Sequence, residues 1–161
     1  MSRYFNSSIP FPLTAEQVVR QIIDFMKEDR SSEYRITVGT DSQANADQKA
    51  DFVTAIVAHR VGKGARYFWT RNGEMIKFHS LRDRITREVL ISLESANHFS
   101  ESLAAFTDAP RFDFEIHVDV GQNGATKVMI QELVGMIRAH NFEAKTKPES
   151  YAASNVADKH V

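Results

Sequence analysis

The chain has 161 residues, of which 42% are hydrophobic and 25% are charged, and it contains no cysteine. This length and balance fit one globular domain and exclude a largely disordered chain, and the lack of cysteine excludes a disulfide scaffold, a thiolate zinc site and a cysteine nucleophile. No apolar run approaches the roughly 20 residues of a membrane helix. We therefore expect a cytoplasmic protein without a membrane span, and the net charge of −1 predicts no general attraction to nucleic acid.

Charge is distributed unevenly along the chain. Residues 60–87 contain eight Lys or Arg against two acidic residues, a net charge of +6, whereas residues 88–119 contain seven acidic residues against one Arg, a net charge of −6. A local basic stretch can supply phosphate contacts even when the whole chain is nearly neutral. The alternative is that both stretches are ordinary solvated surfaces.

The first half of the chain predicts an arm, a helix and an antiparallel meander. Residues 1–12 look irregular, and a helix begins at Thr14, where Thr14 and Gln17 have the spacing of a capping box, and ends near residue 30. We treat residues 1–30 as an N-terminal arm and helix on a domain of residues 31–161, the two forming one compact unit. Strands are predicted over residues 34–40, 51–61 and 66–70, with a further short strand over 74–78.

The second half alternates helices and strands. A helix capped by Ser80 is predicted over residues 81–106, and Asn97 marks a place where it could break. Its apolar stripe consists of Leu81, Ile85, Val89, Leu93 and Ala96. A strictly alternating strand follows over residues 112–120. Then come a helix over 125–140 with Val128 and Met129 inward, a strand over 142–146 and a final helix after Ser150. The predicted fold class is α/β, with a mixed five-stranded sheet flanked by helices.

Two aspartates fall at the ends of predicted strands. Asp41 follows residues 34–40, and Asp119 lies near the end of residues 112–120. Right-handed crossovers make these strands parallel neighbours, so both carboxylates would emerge at the same edge of the sheet, where ligand sites are favoured. Adjacent carboxylates repel and take up a proton unless they share a cation. The alternative is that both are turn aspartates.

Two further carboxylates can join this pair. In the long helix, Glu88 lies about 80° from the centre of the apolar stripe and Glu94 about 160°, so Glu88 can reach the sheet. The alternative for Glu88 is a flanking ion pair with Arg84. Asp158 lies in the final helix among small residues that allow close approach to the sheet, and its alternative is an exposed helical position beside Lys159.

The order of these elements and acids resembles the ribonuclease-H-like fold. More narrowly, the segments VGTDSQ, FVTAIVAHRVGKGARYF, HVDVG and YAASNVADK resemble the YkuK-type family of predicted bacterial nucleases, over about residues 34–159. Position by position, the resemblance implies an acidic set of Asp41, Glu88, Asp119 and Asp158. Of these four, Glu88 is the one whose neighbouring residues match the family least specifically.

The resemblance also implies a chemistry. In ribonuclease-H-like nucleases two Mg²⁺ or Mn²⁺ ions lie roughly 4 Å apart between such carboxylates, activating a water and stabilising the leaving oxygen. Asp41 would bridge the ions, with Glu88 and Asp119 on one and Asp158 on the other. Phosphate contacts, and so binding of RNA or DNA, would come from four basic residues of the +6 stretch: Arg60, Lys63, Arg66 and Arg71.

Aromatic residues and histidines near these positions have two interpretations each. Phe68 and Trp69 could stack on bases, although one of two successive residues in an alternating strand belongs to the core. His117 shares a strand face with Asp119, so it is either a supporting partner of that carboxylate or a packed histidine.

Three hypotheses follow for function. The leading one is a metal-dependent nuclease or phosphodiester hydrolase that uses two metal ions. The second is a catalytically inactive module of the same fold that binds nucleic acid or protein, which the low overall basicity favours. The third is a structural or oligomerising protein in which residues 1–30 pack on a partner.

Overall fold

The structure is a computed structural model that describes residues 4–121, 124 and 126–160, without the side chains of residues 153 and 154. The strands are β1 (Tyr4–Phe5), β2 (Leu13–Thr14), β3 (Tyr34–Ala44), β4 (Lys49–Arg60), β5 (Ala65–Arg71), β6 (Ile76–Lys77), β7 (Asp113–His117) and β8 (Glu143–Lys145). The α-helices are α1 (Ala15–Lys27), α2 (Leu81–Ala104), α3 (Ile130–Ala139) and α4 (Asp158–His160). We call α4 and the π-helical segment Ala152–Ala157 before it the final helix.

The main sheet is mixed, as predicted. Its strand order is β5-β4-β3-β7-β8, and β6 pairs with β4 as a short sixth strand. Strands β3, β4 and β5 form the antiparallel meander, whereas β7 is parallel to β3 and β8 is parallel to β7. The parallel pairing of β3 and β7 follows from the crossover through α2, which the right-handed rule anticipated.

The N-terminal arm is more ordered than the sequence predicted. Strands β1 and β2 pair with each other as a small antiparallel sheet, and Asn6 bridges to Trp69 at the edge of β5. The backbone N–H of Asn6 donates to the carbonyl of Trp69 at 2.7 Å, and the N–H of Trp69 donates back at 2.9 Å. Backbone groups need partners even where the side chains show no period, and the open edge of β5 supplies them.

Strand β3 is the central strand and is buried on both faces. Ile36 and Val38 pack in one cluster with α1 and with Phe99 of α2. Thr37 and Gly39, which the alternation assigned to a more polar face, are buried as well. The opposite face is covered by the final helix, where Ala157 packs on β4. Because helices cover both faces of the sheet, β3 has no solvent-exposed face, although the alternation of its residues implied one.

Two predicted helices differ from the structure in detail. Helix α2 begins after the Ser80 cap and continues past Asn97 without a break, but Leu81 is 37% exposed and does not belong to the core. The predicted start at residue 125 lies outside the described residues, and Val128, predicted inward, is 83% exposed. Val128 lies in the 3₁₀ turn Lys127–Met129, whose three residues per turn rotate it away from the α-helical stripe.

The capping box at the start of α1 is confirmed. The Gln17 N–H donates to Thr14 Oγ1 at 3.2 Å, and the Thr14 N–H donates to Gln17 Oε1 at 2.8 Å. None of the helices in the described part of the chain has the length and apolar character that a membrane span needs.

Replacing Thr14 with Ala is expected to lower the free energy of unfolding by about 1 kcal/mol, because it removes the side-chain acceptor for a helix N–H. Urea denaturation followed by circular dichroism measures the change. Thr107→Ala, at an exposed turn position, is the control and should stay within about 0.5 kcal/mol of the wild type. Equal loss in both variants would contradict a stabilising role of the cap.

Candidate functional site

The register of β3 and β7 sets two aspartates side by side. Gly39 and His117 form the last parallel pair, and Asp41 and Asp119 each follow two residues later on the same edge. The sequence predicted that the strand ends at Asp41, and this prediction is wrong. Strand β3 continues to Ala44 because it keeps pairing with β4 after β7 has ended.

Glu88 reaches this edge from α2, as the helical geometry predicted. Glu88 is buried, and the Ser42 hydroxyl donates to its Oε1 at 3.2 Å. Glu94 is exposed on the other side of the helix. The alternative for Glu88, a flanking ion pair with Arg84, is not among the ion pairs of the described residues, and Arg84 Nη1 instead donates to the Ser42 carbonyl at 3.2 Å.

Asp158 reaches the same edge from the final helix. Its carboxyl group is close enough to that of Asp41 to help raise the pKa of Asp41, because a proton on either group lets the two form a hydrogen bond. Asp158 is exposed whereas Asp41 is buried, so the pair joins solvent to the buried edge of the sheet.

The surroundings of Asp41 and Glu88 favour the uncharged form of these two carboxyl groups. Burial, the hydrogen bond to Asp158 and the negative charge of Asp119 raise the pKa of Asp41 to about 7, against a lowering by the Ser42 backbone N–H. Burial and the charge of Asp41 raise the pKa of Glu88 well above its ordinary value, against the Ser42 hydroxyl and the charge of Arg84. The cluster therefore holds more negative charge than its surroundings stabilise.

A lysine lies against the cluster. Lys147 Nζ is 3.2 Å from Asp119 Oδ1, and the side chain of Lys147 crosses Gly121 on its way there. A β-carbon at Gly121 would lie 3.2 Å from the β-carbon of Lys147, a distance that crowds the stem of the lysine. The absence of a side chain at Gly121 thus helps Lys147 to reach Asp119.

The donor set suits a hard divalent cation in chemistry. Such ions prefer carboxylate oxygens, and a cation among Asp41, Glu88 and Asp119 would offset the negative charge that burial and repulsion disfavour at Asp41 and Glu88. Within residues 4–121, 124 and 126–160, however, no three His, Asp or Glu side chains are placed so that they already surround one ion.

Three of the four basic residues predicted to bind phosphate lie far from this edge. Arg60 is opposite Tyr34, seven residues along β3 from Asp41, which is about 23 Å at the usual rise of a strand. Lys63 pairs with Asp29, and like Arg66 it lies at the same end of the meander as Arg60. The structure therefore does not bring Arg60, Lys63 and Arg66 together with the carboxylates.

Arg71 is the basic residue of that set that lies level with the carboxylates. It is opposite Val53 of β4, which in turn is opposite Asp41. Its guanidinium already has two partners, Asp51 Oδ2 and the carbonyl of His160, both at 2.5 Å.

Phe68, Trp69 and His117 each have a defined place. Phe68 is fully buried in the core, and Trp69 stacks on His160 with ring centroids 4.2 Å apart. His117 is buried and bonds to Glu115 through Nε2 at 3.0 Å. It does not contact Asp119 through any hydrogen bond of the described residues, and burial lowers its pKa.

A cavity lies away from the four carboxylates. A volume of about 760 Å³ opens at the other end of the sheet, where Tyr34, Leu103 and Phe112 are among its lining residues. None of the four carboxylates lines it.

Sequence reasoning missed two side chains that act on the cluster, Ser42 and Lys147. Ser42 follows Asp41 directly, so its place in the sequence was a usable signal. Lys147 gave no such signal, because its contact joins the segment after β8 to the segment after β7 and depends on the parallel pairing of those strands.

Comparison with known proteins gives two matches. A family model described as ribonuclease H-like matches residues 17–161. A protein of Bacillus subtilis (strain 168), named "Uncharacterized protein YkuK", is 36% identical over 156 residues, covering 91% of this chain and 90% of that protein. No solved structure gives a significant match.

Proposed function

The chain belongs to the ribonuclease H-like family, in its YkuK-type branch, and on that premise we propose that it is a metal-dependent nuclease that hydrolyses phosphodiester bonds of RNA or DNA. The observation that carries the proposal is the meeting of Asp41, Glu88, Asp119 and Asp158 from four separate elements. The burial of Asp41 and Glu88, together with repulsion by neighbouring acids, supports the proposal, because both disfavour a negative charge that a bound cation would offset.

We assign the metal ligands to these four carboxylates and the cofactor to Mg²⁺ or Mn²⁺. When bound, such ions lower the pKa of a water molecule and offset charge on a phosphate. Ser42 orients the Glu88 carboxylate through its hydroxyl, and Lys147 holds Asp119. A cation held by these residues would offset the negative charge that burial disfavours at Asp41.

We assign the nearest phosphate contacts to Lys147 and Arg84. Both are close enough to act on the carboxylates, Lys147 on Asp119 and Arg84 on Glu88. This assignment replaces the more distant Arg60, Lys63 and Arg66 for the scissile phosphate.

Cleavage of single-stranded, duplex and hybrid substrates with Mn²⁺ tests the proposal. We expect cleavage of at least one class that stops with a chelator, and we expect Asp119→Asn to lose it by at least about 100-fold because a ligand of the cluster becomes neutral. Asp113→Asn is the matched control, at an exposed position on β7, the strand that leads to Asp119, and should keep wild-type activity. No cleavage of any substrate, or equal activity in Asp119→Asn, would reject the nuclease.

A second candidate is an inactive module of the same fold that binds nucleic acid. Two observations favour it. Among the described residues, no three acidic or histidine side chains already surround one ion, and Arg60 is distant from the cluster. This candidate predicts binding of nucleic acid that survives Asp119→Asn, together with the absence of cleavage.

A further inference from the structure

The final helix is anchored at its start to the sheet. The backbone N–H of Ala152 donates to Nδ1 of the buried His117 at 3.1 Å. Since Nδ1 accepts this bond, the proton of the neutral ring lies on Nε2, which donates to Glu115. The ring of Tyr151 packs edge-on against His117 with centroids 4.6 Å apart.

The far end of the helix is anchored on β5. The ring of His160 lies flat on Trp69, with centroids 4.2 Å apart and planes 9° from parallel. Arg71 Nη2 donates to the carbonyl of His160 at 2.5 Å, and Asp51 fixes that guanidinium from the other side. A planar stack and a charge-assisted hydrogen bond thus hold the same residue.

Between the anchors, the apolar attachment is small. Ala157 and Val156 pack on Val53, Ala55 and Trp69. Alanine side chains bury little area, so the free energy from this contact is modest compared with that of the main core. The segment is also π-helical, a geometry that is rare and is found frequently at functional sites.

Asp158 lies two residues before His160. Its contact with Asp41 therefore depends on the position of the last turn of the helix, which the His160 stack and the Arg71 bond determine. Among the described residues, no hydrogen bond or ion pair joins Trp69 or Arg71 to Asp41, Glu88, Asp119 or Asp158.

We propose that Trp69 and Arg71 are positioning residues, which clamp His160 so that the final helix presents Asp158 to Asp41. The inference rests on the proposed function, because Asp158 matters only if the four carboxylates form one site. It gives Trp69 and Arg71 a role in assembling the metal site rather than in stacking on bases or binding phosphate.

The docking is tested by fluorescence, since Trp69 is the single tryptophan of the chain. We expect His160→Ala to increase acrylamide quenching of Trp69 and to speed amide exchange of residues 152–160. His160→Phe restores a flat ring and should restore both. His98→Ala, which removes a histidine that packs on Phe99 elsewhere, is the matched control and should change neither. Unchanged quenching and exchange in His160→Ala would overturn the clamp.

The link to Asp158 is tested by Mn²⁺ binding, measured by calorimetry. We expect His160→Ala to weaken Mn²⁺ binding about 10-fold, as the loss of a supporting partner does, and His160→Phe to recover it. In a double-mutant cycle, His160→Ala should add little to Asp158→Asn, because both act through the same carboxylate. Fully additive losses, or unchanged affinity in His160→Ala, would overturn the positioning role.

The outcomes separate the clamp from the nuclease. If the wild type binds no Mn²⁺, the proposed function fails and the positioning of a metal ligand is overturned with it, while quenching and exchange still decide whether the helix is clamped. If Mn²⁺ binding follows the predicted pattern without any cleavage, the clamp is supported and only the proposed hydrolysis fails.

Discussion

Asp41→Asn is expected to lower metal-dependent cleavage by at least about 1,000-fold, comparable to the loss of a residue that acts at the centre of a catalytic unit. Asp41 is the carboxylate on which the others converge: Asp158 is close enough to help raise its pKa, and the charges of Asp119 and Glu88 interact with it. An amide keeps the size of the side chain but removes the negative charge that a divalent cation requires.

The measurement is initial rate of cleavage with Mn²⁺, on whichever substrate the wild type cuts. Asp47→Asn is the control, because Asp47 lies exposed in the turn after β3 and outside the cluster. The melting temperature should be recorded in parallel, since Asp41→Asn removes repulsion and should not destabilise the fold. Wild-type activity in Asp41→Asn would mean that the reaction takes place elsewhere.

Glu88→Gln is expected to stabilise the metal-free protein at pH 8 by several degrees while removing activity. The pKa of Glu88 in the fold lies well above its ordinary value of 4.5, so the folded state holds a proton that the unfolded state has lost. Stability therefore falls as the pH rises above about 4.5, and glutamine has no proton to lose. Asp41 adds to this loss between its ordinary value of 3.8 and about 7.

Thermal denaturation in a chelator from pH 4 to pH 8 checks this expectation. The wild type and Glu88→Gln should melt closest together near pH 4 and move apart as the pH rises, with the variant higher. Glu94→Gln, on the exposed side of the same helix, should follow the wild type. A variant that melts lower than the wild type at pH 8 would contradict an unstabilised negative charge at Glu88.

Divalent cations should reverse the order. Binding to the folded state alone raises stability by about 2.7 kcal/mol at a concentration 100 times the dissociation constant. That gain belongs to the wild type and not to Glu88→Gln, whose cluster carries one ligand fewer. We therefore expect the wild type to melt below Glu88→Gln without divalent cations and above it when they are bound.

Much of the fold was predictable because it rests on local chemistry. The capping box at Thr14, the Ser80 cap and the alternating residues of β7 are readable from spacing alone. The side of α2 on which Glu88 lies was also predictable, since the angle between residues in a helix is constant. The errors fell where partners outside the segment decide, as in the length of β3 and the pairing of β1.

The sequence by itself determined the order of the long helices and of the strands of the main sheet, and the positions of the four acids along them. Only the tertiary structure decided that Asp158 meets Asp41, that Lys147 reaches Asp119, and that Arg60 lies about 23 Å from the site along β3. The physical reason is that periodicity fixes which face a residue lies on, whereas strand register, crossover direction and helix docking fix which residues from distant segments come together.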